Sequence, residues 1–291
     1  MKEQKSFVDN SKGCLFLVPT PIGNLEDMTF RAVNTLKEAD LVAAEDTRNT
    51  KNLLNHFEIP TELISFHEHN TAQRIPELIE KMNSGLKIAQ VSDAGAPSIS
   101  DPGKELVKAA IKEEIPVVPL PGATASITAL IASGIEPQPF YFFGFLPRKG
   151  KERTEALVDL ANRNETTIVY ESPYRVKKTI QDLIAKFGPE RQITLARELT
   201  KIHEAFLRGS LQDVAQYYEE NDPKGEYVLI IAGKPADQME TSSDADLVAA
   251  VDNLIDHGKK PNKAIKEVAA DNGLKNQTVY NLYHGIGEEE S

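Results

Sequence analysis

The feature that most constrains this fold is a repeated unit: a short apolar run, a Gly/Pro-rich loop, then an amphipathic segment. It first occurs as Leu15-Phe16-Leu17-Val18 followed by Pro19-Thr20-Pro21-Ile22-Gly23. It recurs at Ile88-Ala89-Gln90-Val91 with the Gly/Pro-rich residues 95–103, and at Val117-Val118 within residues 116–122. Apolar runs this short, ended by turn formers, read as strands buried on both faces. The intervening segments carry helical stripes. Val33 and Leu36 mark a helix over 30–41, with a strand following at 41–44. Ile75, Leu78, Ile79 and Met82 mark a second helix, and Leu106, Val107, Ala110 and Ile111 a third. Such alternation predicts a largely parallel sheet with helices on its faces.

A second α/β series follows. Residues 140–145, 166–170, 192–196, 205–208 and 227–232 read as strands, the second rich in β-branched and aromatic residues. Residues 152–160 and 176–187 read as helices, the latter stopped by Gly188-Pro189. So many closely spaced strands predict a mixed sheet. The expected organisation is an N-terminal α/β domain (1–118) and a C-terminal α/β domain (119–235). An acidic linker (236–246) and a three-helix module (247–287) follow. Within that module residues 264–283 resemble a helix-turn-helix with Gly273 in the turn. Residues 257–285 hold five lysines against Glu267 and Asp271, a local +3. The module is either a packing appendage or a nucleic-acid contact.

Composition excludes several functions. The net charge of −11 argues against a general nucleic-acid coat and against a peripheral protein on anionic membrane. Cys14 is the single cysteine, so no internal disulfide forms, which fits a reducing compartment. The apolar stretch 15–18 is too short for a signal-peptide core and no run approaches a membrane span, so a cytoplasmic protein is expected. There is no G-x-G-x-x-G, Walker or H-E-x-x-H motif. His67-Glu68-His69 lacks a further nearby ligand, so it reads as a loop feature and no metal is expected.

The positive signal lies in the loops after the strands, where open α/β sheets bind ligands. Residues 20–24, Glu45-Asp46-Thr47-Arg48, residues 92–103 and residues 121–125 are rich in Gly, Pro, hydroxyls and acids. Twelve such residues after one strand exceed an ordinary turn, since βα loops usually take about 2–6. An acidic, Gly/Pro-shaped site suits a cationic, adenosine-like ligand better than a phosphate.

These motifs, Val18-Pro19-Thr20-Pro21-Ile22-Gly23-Asn24-Leu25, Ala44-Glu45-Asp46-Thr47-Arg48, and Ser92-Asp93-Ala94-Gly95 through Asp101-Pro102-Gly103, resemble the tetrapyrrole methylase superfamily. Pro121-Gly122-Ala123-Thr124-Ala125, Phe143-Gly144-Phe145-Leu146-Pro147-Arg148-Lys149, Tyr170-Glu171-Ser172-Pro173-Tyr174-Arg175 and Ala196-Arg197-Glu198-Leu199-Thr200-Lys201 extend the likeness to its ribosomal RNA-methylating branch. Ala96 departs from the hydroxyl residue expected there. The resemblance implies a two-domain α/β, class III methyltransferase fold with a small C-terminal helical module. It implies S-adenosylmethionine as donor, held in the cleft between the α/β domains, and a homodimer. The implied acceptor is the ribose 2′-hydroxyl of a decoding-centre cytidine in 16S ribosomal RNA, within the small ribosomal subunit.

By that resemblance, Pro21, Gly23, Asp93, Gly95, Ser98, Ile99, Thr124 and Ala125 would bind the donor. Lys201, Glu198, Glu171 and Glu45 are the candidate catalytic groups, with Lys201 a base if burial or nearby cations lower its pKa. Arg148, Lys149, Lys151 and Arg153 form a basic loop expected to contact RNA phosphates. Methylation of a small tetrapyrrole, or a non-catalytic ribosome-associated role, are the competing readings.

Overall fold

The computed structural model describes residues 3–6, 13–235, 244–271 and 274–286. The chain divides into two compact units, residues 1–233 and 234–291. The first unit holds two five-stranded sheets. One is parallel throughout: β1 (Cys14–Leu17), β2 (Leu41–Ala44), β3 (Leu63–Ser65), β4 (Lys87–Val91) and β5 (Val117–Pro119), in the order β3-β2-β4-β1-β5.

Its strands alternate between two cores. Val18, Val42, Ala44, Ala89 and Val91 pack with Leu36 of α1 (Phe30–Glu38) and Leu54 of α2 (Thr47–His56). Leu15, Leu41, Ala43 and Ile88 pack with Leu78 of α3 (Thr71–Asn83) and Leu106 of α4 (Gly103–Lys112). With both faces covered, nearly every position is apolar, hence the long apolar runs in the sequence, and buried Gln90 in β4 is a polar exception that bonds Asp101. β1 and β4 are neighbours, yet the chain leaving β1 crosses towards β2 and the chain leaving β4 crosses towards β5. Their helices α1 and α4 join opposite cores, so the chain reverses its winding between these two strands, the switch point at which open α/β sheets bind ligands.

The second sheet contains β6 (Phe140–Phe145), β7 (Thr166–Glu171), β8 (Gln192–Arg197), β9 (Ala205–Ser210) and β10 (Tyr227–Ile231), ordered β6-β7-β10-β8-β9. It is mixed: β6 and β7 are parallel, and β10 runs antiparallel to β7 and β8. One face packs on α6 (Lys151–Ala161), α7 (Pro173–Phe187) and α8 (Leu211–Glu220) through Leu157, Leu160, Ile180, Leu183 and Val214. The other face receives Ala129 and Leu130 of α5 (Ala125–Ser133), with Ile22 from the loop after β1. Register places Glu171, Tyr227 and Arg197 in one row, with Phe145 opposite Tyr170. The C-terminal ends of β6, β7 and β8 therefore share one edge.

The helix expected over 30–41 ends at Glu38, because Leu41 joins β2 and buries its side chain beside Leu15 and Ile88. The sequence reading passed over α2, β3 and α8. α2 has a thin apolar stripe, and β3 is a three-residue edge strand. α8 did carry a start signal, the reciprocal capping box of Ser210 and Asp213.

The second unit has its own core. α9 (Asp244–Asp256), α10 (Pro261–Asp271) and α11 (Asn276–His284) bury Leu247, Val251, Ile265, Val268 and Val279 together. Lys259 pairs with Glu267, and the Tyr283 hydroxyl donates to Asp252 at 2.8 Å. Most of the expected linker, and the turn at Gly273, lie outside the described residues. Among the described residues no helix is long and apolar enough to cross a membrane.

Candidate active site

The loops after β1 and β4 are stitched together at the crevice. Thr20 and Gly95 exchange backbone hydrogen bonds of 3.0 Å in both directions, and the Thr20 hydroxyl donates to the Ser92 carbonyl at 3.1 Å. Gly95 has φ of +77°, and a Cβ there would stand 3.3 Å from Ile22 and 3.5 Å from the Ala123 carbonyl. A side chain would be strained in that backbone and would crowd the β1 and β5 loops. Pro21, Gly95, Thr124 and Ala125 thus belong to three loops that meet around one point. Thr124 precedes α5, with its hydroxyl 3.1 Å from that of Ser126.

Acidic side chains order this crevice. Asp93 accepts from the Asp46 backbone N–H at 3.0 Å, joining the β4 loop to the β2 loop. Asp46 caps α2 by accepting from the Arg48 N–H at 2.8 Å. Asp101 folds residues 98–103 around its carboxylate, accepting from the N–H groups of Ser98 (2.7 Å) and Gly103 (2.8 Å) and from the Gln90 amide (3.2 Å). Burial pushes its pKa up even so. Glu45 is also raised, first by burial and then by repulsion from Asp93 and Asp101. Ser98 holds φ of +72°, and Ile99 is exposed beside it. The Ser98 hydroxyl and the Gln90 carbonyl oxygen are buried without a protein partner. Asp101 and Gln90 were not singled out in the sequence, although Asp101 lies inside a quoted motif.

The second sheet contributes a strained corner after β8. Glu198 and Thr200 both take left-handed backbone, at φ of +50° and +66°. The Lys201 ammonium is held 2.9 Å from both Glu198 and Glu226, while Glu198 also accepts from the Glu226 N–H at 2.9 Å. Burial alone would lower the Lys201 pKa, but the two carboxylates outweigh it and the net shift is upward. The expectation of a base with a lowered pKa is therefore corrected: Lys201 is a fixed cation. Glu198 is slightly desolvated, yet the Glu226 N–H and Lys201 hold its pKa below the ordinary value. This corner meets the first sheet, since a Cβ on Gly23 would fall 2.5 Å from Lys201 Cγ and 2.9 Å from the Thr200 hydroxyl. Thr200, whose hydroxyl is buried and unpartnered, was missed because its motif was read for charge alone.

Glu171 is corrected too. It is buried, with one oxygen accepting from the Ser172 N–H (2.8 Å) and pairing with Arg175 (3.3 Å), the other accepting from Thr179 (2.7 Å). Both oxygens are engaged in structure, so it positions other groups and does not face an acceptor. Arg153 is likewise withdrawn from the expected RNA contact. It is buried, pairs with Asp182 at 2.8 Å, and donates to Thr179 (2.9 Å) and to the Pro147 carbonyl (2.9 Å). As the third residue of α6 it points into the sheet–helix layer. Arg175 adds a bond to the Leu146 carbonyl at 2.8 Å. Together these groups pin the loop that carries Arg148 and Lys149. Those two are exposed and make no ion pair among the described residues, whereas exposed Lys151 pairs with Glu155 at 3.3 Å.

Two five-stranded α/β sheets in one compact unit, one parallel and one mixed, with the loop after β1 meeting the corner after β8, define a class, and known proteins agree with it. The family model for tetrapyrrole (corrin/porphyrin) methylases matches residues 14–215. The solved structure of the methyltransferase CobJ superposes with a TM-score of 0.58 at 18% identity, covering 76% of this chain and 94% of that one. The ribosomal RNA small subunit methyltransferase I of Streptococcus pyogenes serotype M1 is 54% identical over 288 residues, 98% of this chain and 100% of that protein. The protein of the same name from Halalkalibacterium halodurans is 49% identical over 289 residues, 98% and 99% of the two chains. The chain belongs to the tetrapyrrole methylase family and, within it, to the ribosomal RNA small subunit methyltransferase I group.

Proposed function

We propose that this protein transfers a methyl group from S-adenosylmethionine to the ribose 2′-hydroxyl of a decoding-centre cytidine in small-subunit ribosomal RNA, acting as a homodimer. In this reading the donor lies between residues 1–118 and residues 119–235, the latter also present the acceptor, and the module at 247–287 adds basic surface. The observation that carries it is the contact of Gly23 with the Thr200–Lys201 corner. It brings the acidic loops of one sheet to the corner of the other that holds Lys201.

The crevice fits the donor. Its ammonium and sulfonium suit a centre where Glu45, Asp93 and Asp101 are close enough for mutual repulsion to raise Glu45. The orphaned Ser98 hydroxyl and Gln90 carbonyl offer further partners. Pro21, Gly23, Gly95, Ile99, Thr124 and Ala125 shape the walls. When bound, the donor supplies an electrophilic methyl carbon.

The chain's own residues do the rest. Alignment of the acceptor oxygen accounts for much of the acceleration. Among the candidate catalytic groups Glu45 has its pKa raised by burial and by neighbouring acids, and a carboxylate so raised accepts a proton more readily. Lys201, kept charged by Glu198 and Glu226, orients the ribose, and Arg148 and Lys149 hold phosphates.

The test incubates the protein with labelled donor and extracted 16S ribosomal RNA, assembled small subunits or uroporphyrinogen, then maps the label. A 2′-O-methylcytidine in RNA is expected. Label on a base, or on the tetrapyrrole alone, refutes the reading. Asp93→Ala should abolish donor binding by calorimetry.

A further inference from the structure

Tyr174 is the second residue of α7, and 96% of its surface is exposed. Each of the other seven tyrosines packs against an aromatic ring or a histidine. Among the described residues Tyr174 alone of the eight tyrosines has neither a ring partner nor a hydrogen bond. A ring so placed adds nothing to folding by burial.

Its surroundings are informative. Glu171 and Arg175 fix the first turn of α7, and the Arg175 bond to the Leu146 carbonyl ties that turn to the loop bearing Arg148 and Lys149. Two strand spacings, about 10 Å, separate the end of β7 from the end of β8, where the Lys201 corner begins. One helical turn after Tyr174 come exposed Lys177 and Lys178, the former 3.1 Å from Asp222. An exposed aromatic among cations, at the same edge as the reaction corner, matches a polyanion with flat bases better than an apolar protein face.

A 2′-hydroxyl inside a duplex is held against its neighbours, whereas recognised RNA nucleotides are commonly splayed from loops and stacked on aromatic rings. We propose that Tyr174 stacks on an unpaired RNA base adjacent to the ribose that is methylated, while Arg148 and Lys149 bind the flanking phosphates. This rests on the reading of the acceptor as RNA. Stacking tolerates any base, so Tyr174 sets the posture of the strand and not its sequence.

The chain has no tryptophan, so Tyr174→Trp creates a single indole reporter. Extracted 16S ribosomal RNA and small ribosomal subunits are titrated into it while binding is followed independently by filter retention. Quenching of the indole in step with binding is expected, with none in a Tyr217→Trp control on α8. Tyr174→Ala should weaken RNA retention roughly 5- to 150-fold, the range for one base–aromatic stack. Its donor binding and thermal midpoint should stay at wild-type values, and Tyr174→Phe should bind RNA normally. RNA retention without quenching, or undiminished retention by Tyr174→Ala, overturns the inference while leaving the proposed function standing. An indole emission that shifts with protein concentration in the absence of RNA makes Tyr174 a contact between copies, and overturns it as well. Failure of the wild-type protein to retain either RNA removes the proposed function and this inference together.

Discussion

Replacing Arg153 with Met keeps the length of the side chain and deletes its charge. The side chain is 7% exposed, and its guanidinium bonds Asp182, the Thr179 hydroxyl and the Pro147 carbonyl. Removing one partner of a buried, hydrogen-bonded pair costs about 3–5 kcal/mol, because the remaining charge is left unpaired. Asp182 is 29% exposed, so water reaches it and the cost moves down from that range. We expect a loss of about 2–4 kcal/mol. At about 2–4 °C per kcal/mol for a unit of this size, the thermal midpoint falls by about 5–15 °C. Calorimetry reads the midpoint. A second measurement separates stability from function: at a temperature where the variant is folded, the loosened 146–150 loop should raise KM for RNA while the donor dissociation constant is unchanged. Arg153→Lys keeps the charge but not the planar fork, and should fall between. A midpoint within 2 °C of wild type, combined with a shallower salt dependence of RNA binding, would show that Arg153 reaches phosphate directly and that the burial argument is wrong.

Three further outcomes follow from other parts of the site. Arg148→Gln with Lys149→Gln should leave the thermal midpoint unchanged and reduce the slope of log K against log salt by about 1.4–1.8, as expected for two lost phosphate contacts. Glu45→Gln should lower the methylation rate about 10²–10⁴-fold and flatten the acid limb of its pH–rate profile. The same variant should be more heat-stable at neutral pH. The Glu45 pKa is raised on folding, so its favourable contribution is complete below its ordinary value of 4.5 and is lost as pH rises through the higher folded value. Gly103→Ala should weaken donor binding and destabilise by about 1–3 kcal/mol, as overpacking does. Its methyl would overlap the amide of Gln90, which is buried and bonded to Asp101 and has nowhere to swing.

Legibility in the sequence followed the physics of each feature. Strands β1, β2, β4 and β10 could be read because burial on both faces favours apolar residues at nearly every position. The crevice was readable because Gly and Pro cluster where loops must turn sharply beside a ligand. Roles of individual charges were not readable. Arg153 lies one turn from Lys149 in sequence and reads as its equivalent, yet a helix start at Lys151 rotates it inward. Lys201 has carboxylates at Glu198 and Glu226, one near in sequence and one on the approach to β10, and only pairing of β8 with β10 reveals the second. Glu171 is set by Thr179 and Arg175, both on the following helix.

The charge pattern shows how one acidic chain would handle two ligands of opposite sign. Acids that repel one another in the folded state, Glu45, Asp93 and Asp101, gather where a cation would relieve them. The second sheet withdraws Arg153, Arg175, Arg191 and Arg208 into bonds with backbone carbonyls. Few cations are left to meet phosphate there, chiefly Arg148 and Lys149 on the loop after β6, with Lys177 and Lys178 on α7. With so few contacts from this edge, binding to arbitrary RNA is weak and depends modestly on salt. Affinity must then come from posture: the stacked base, the fixed Lys201 and the fit of a folded RNA surface. The salt slope that survives in the Arg148→Gln/Lys149→Gln variant measures what the remaining lysines, on α7 and on the C-terminal helices, add. A residual slope near zero would assign the C-terminal helices to packing, whereas a slope of −2 or steeper that persists after Lys177→Gln and Lys178→Gln would assign them to RNA.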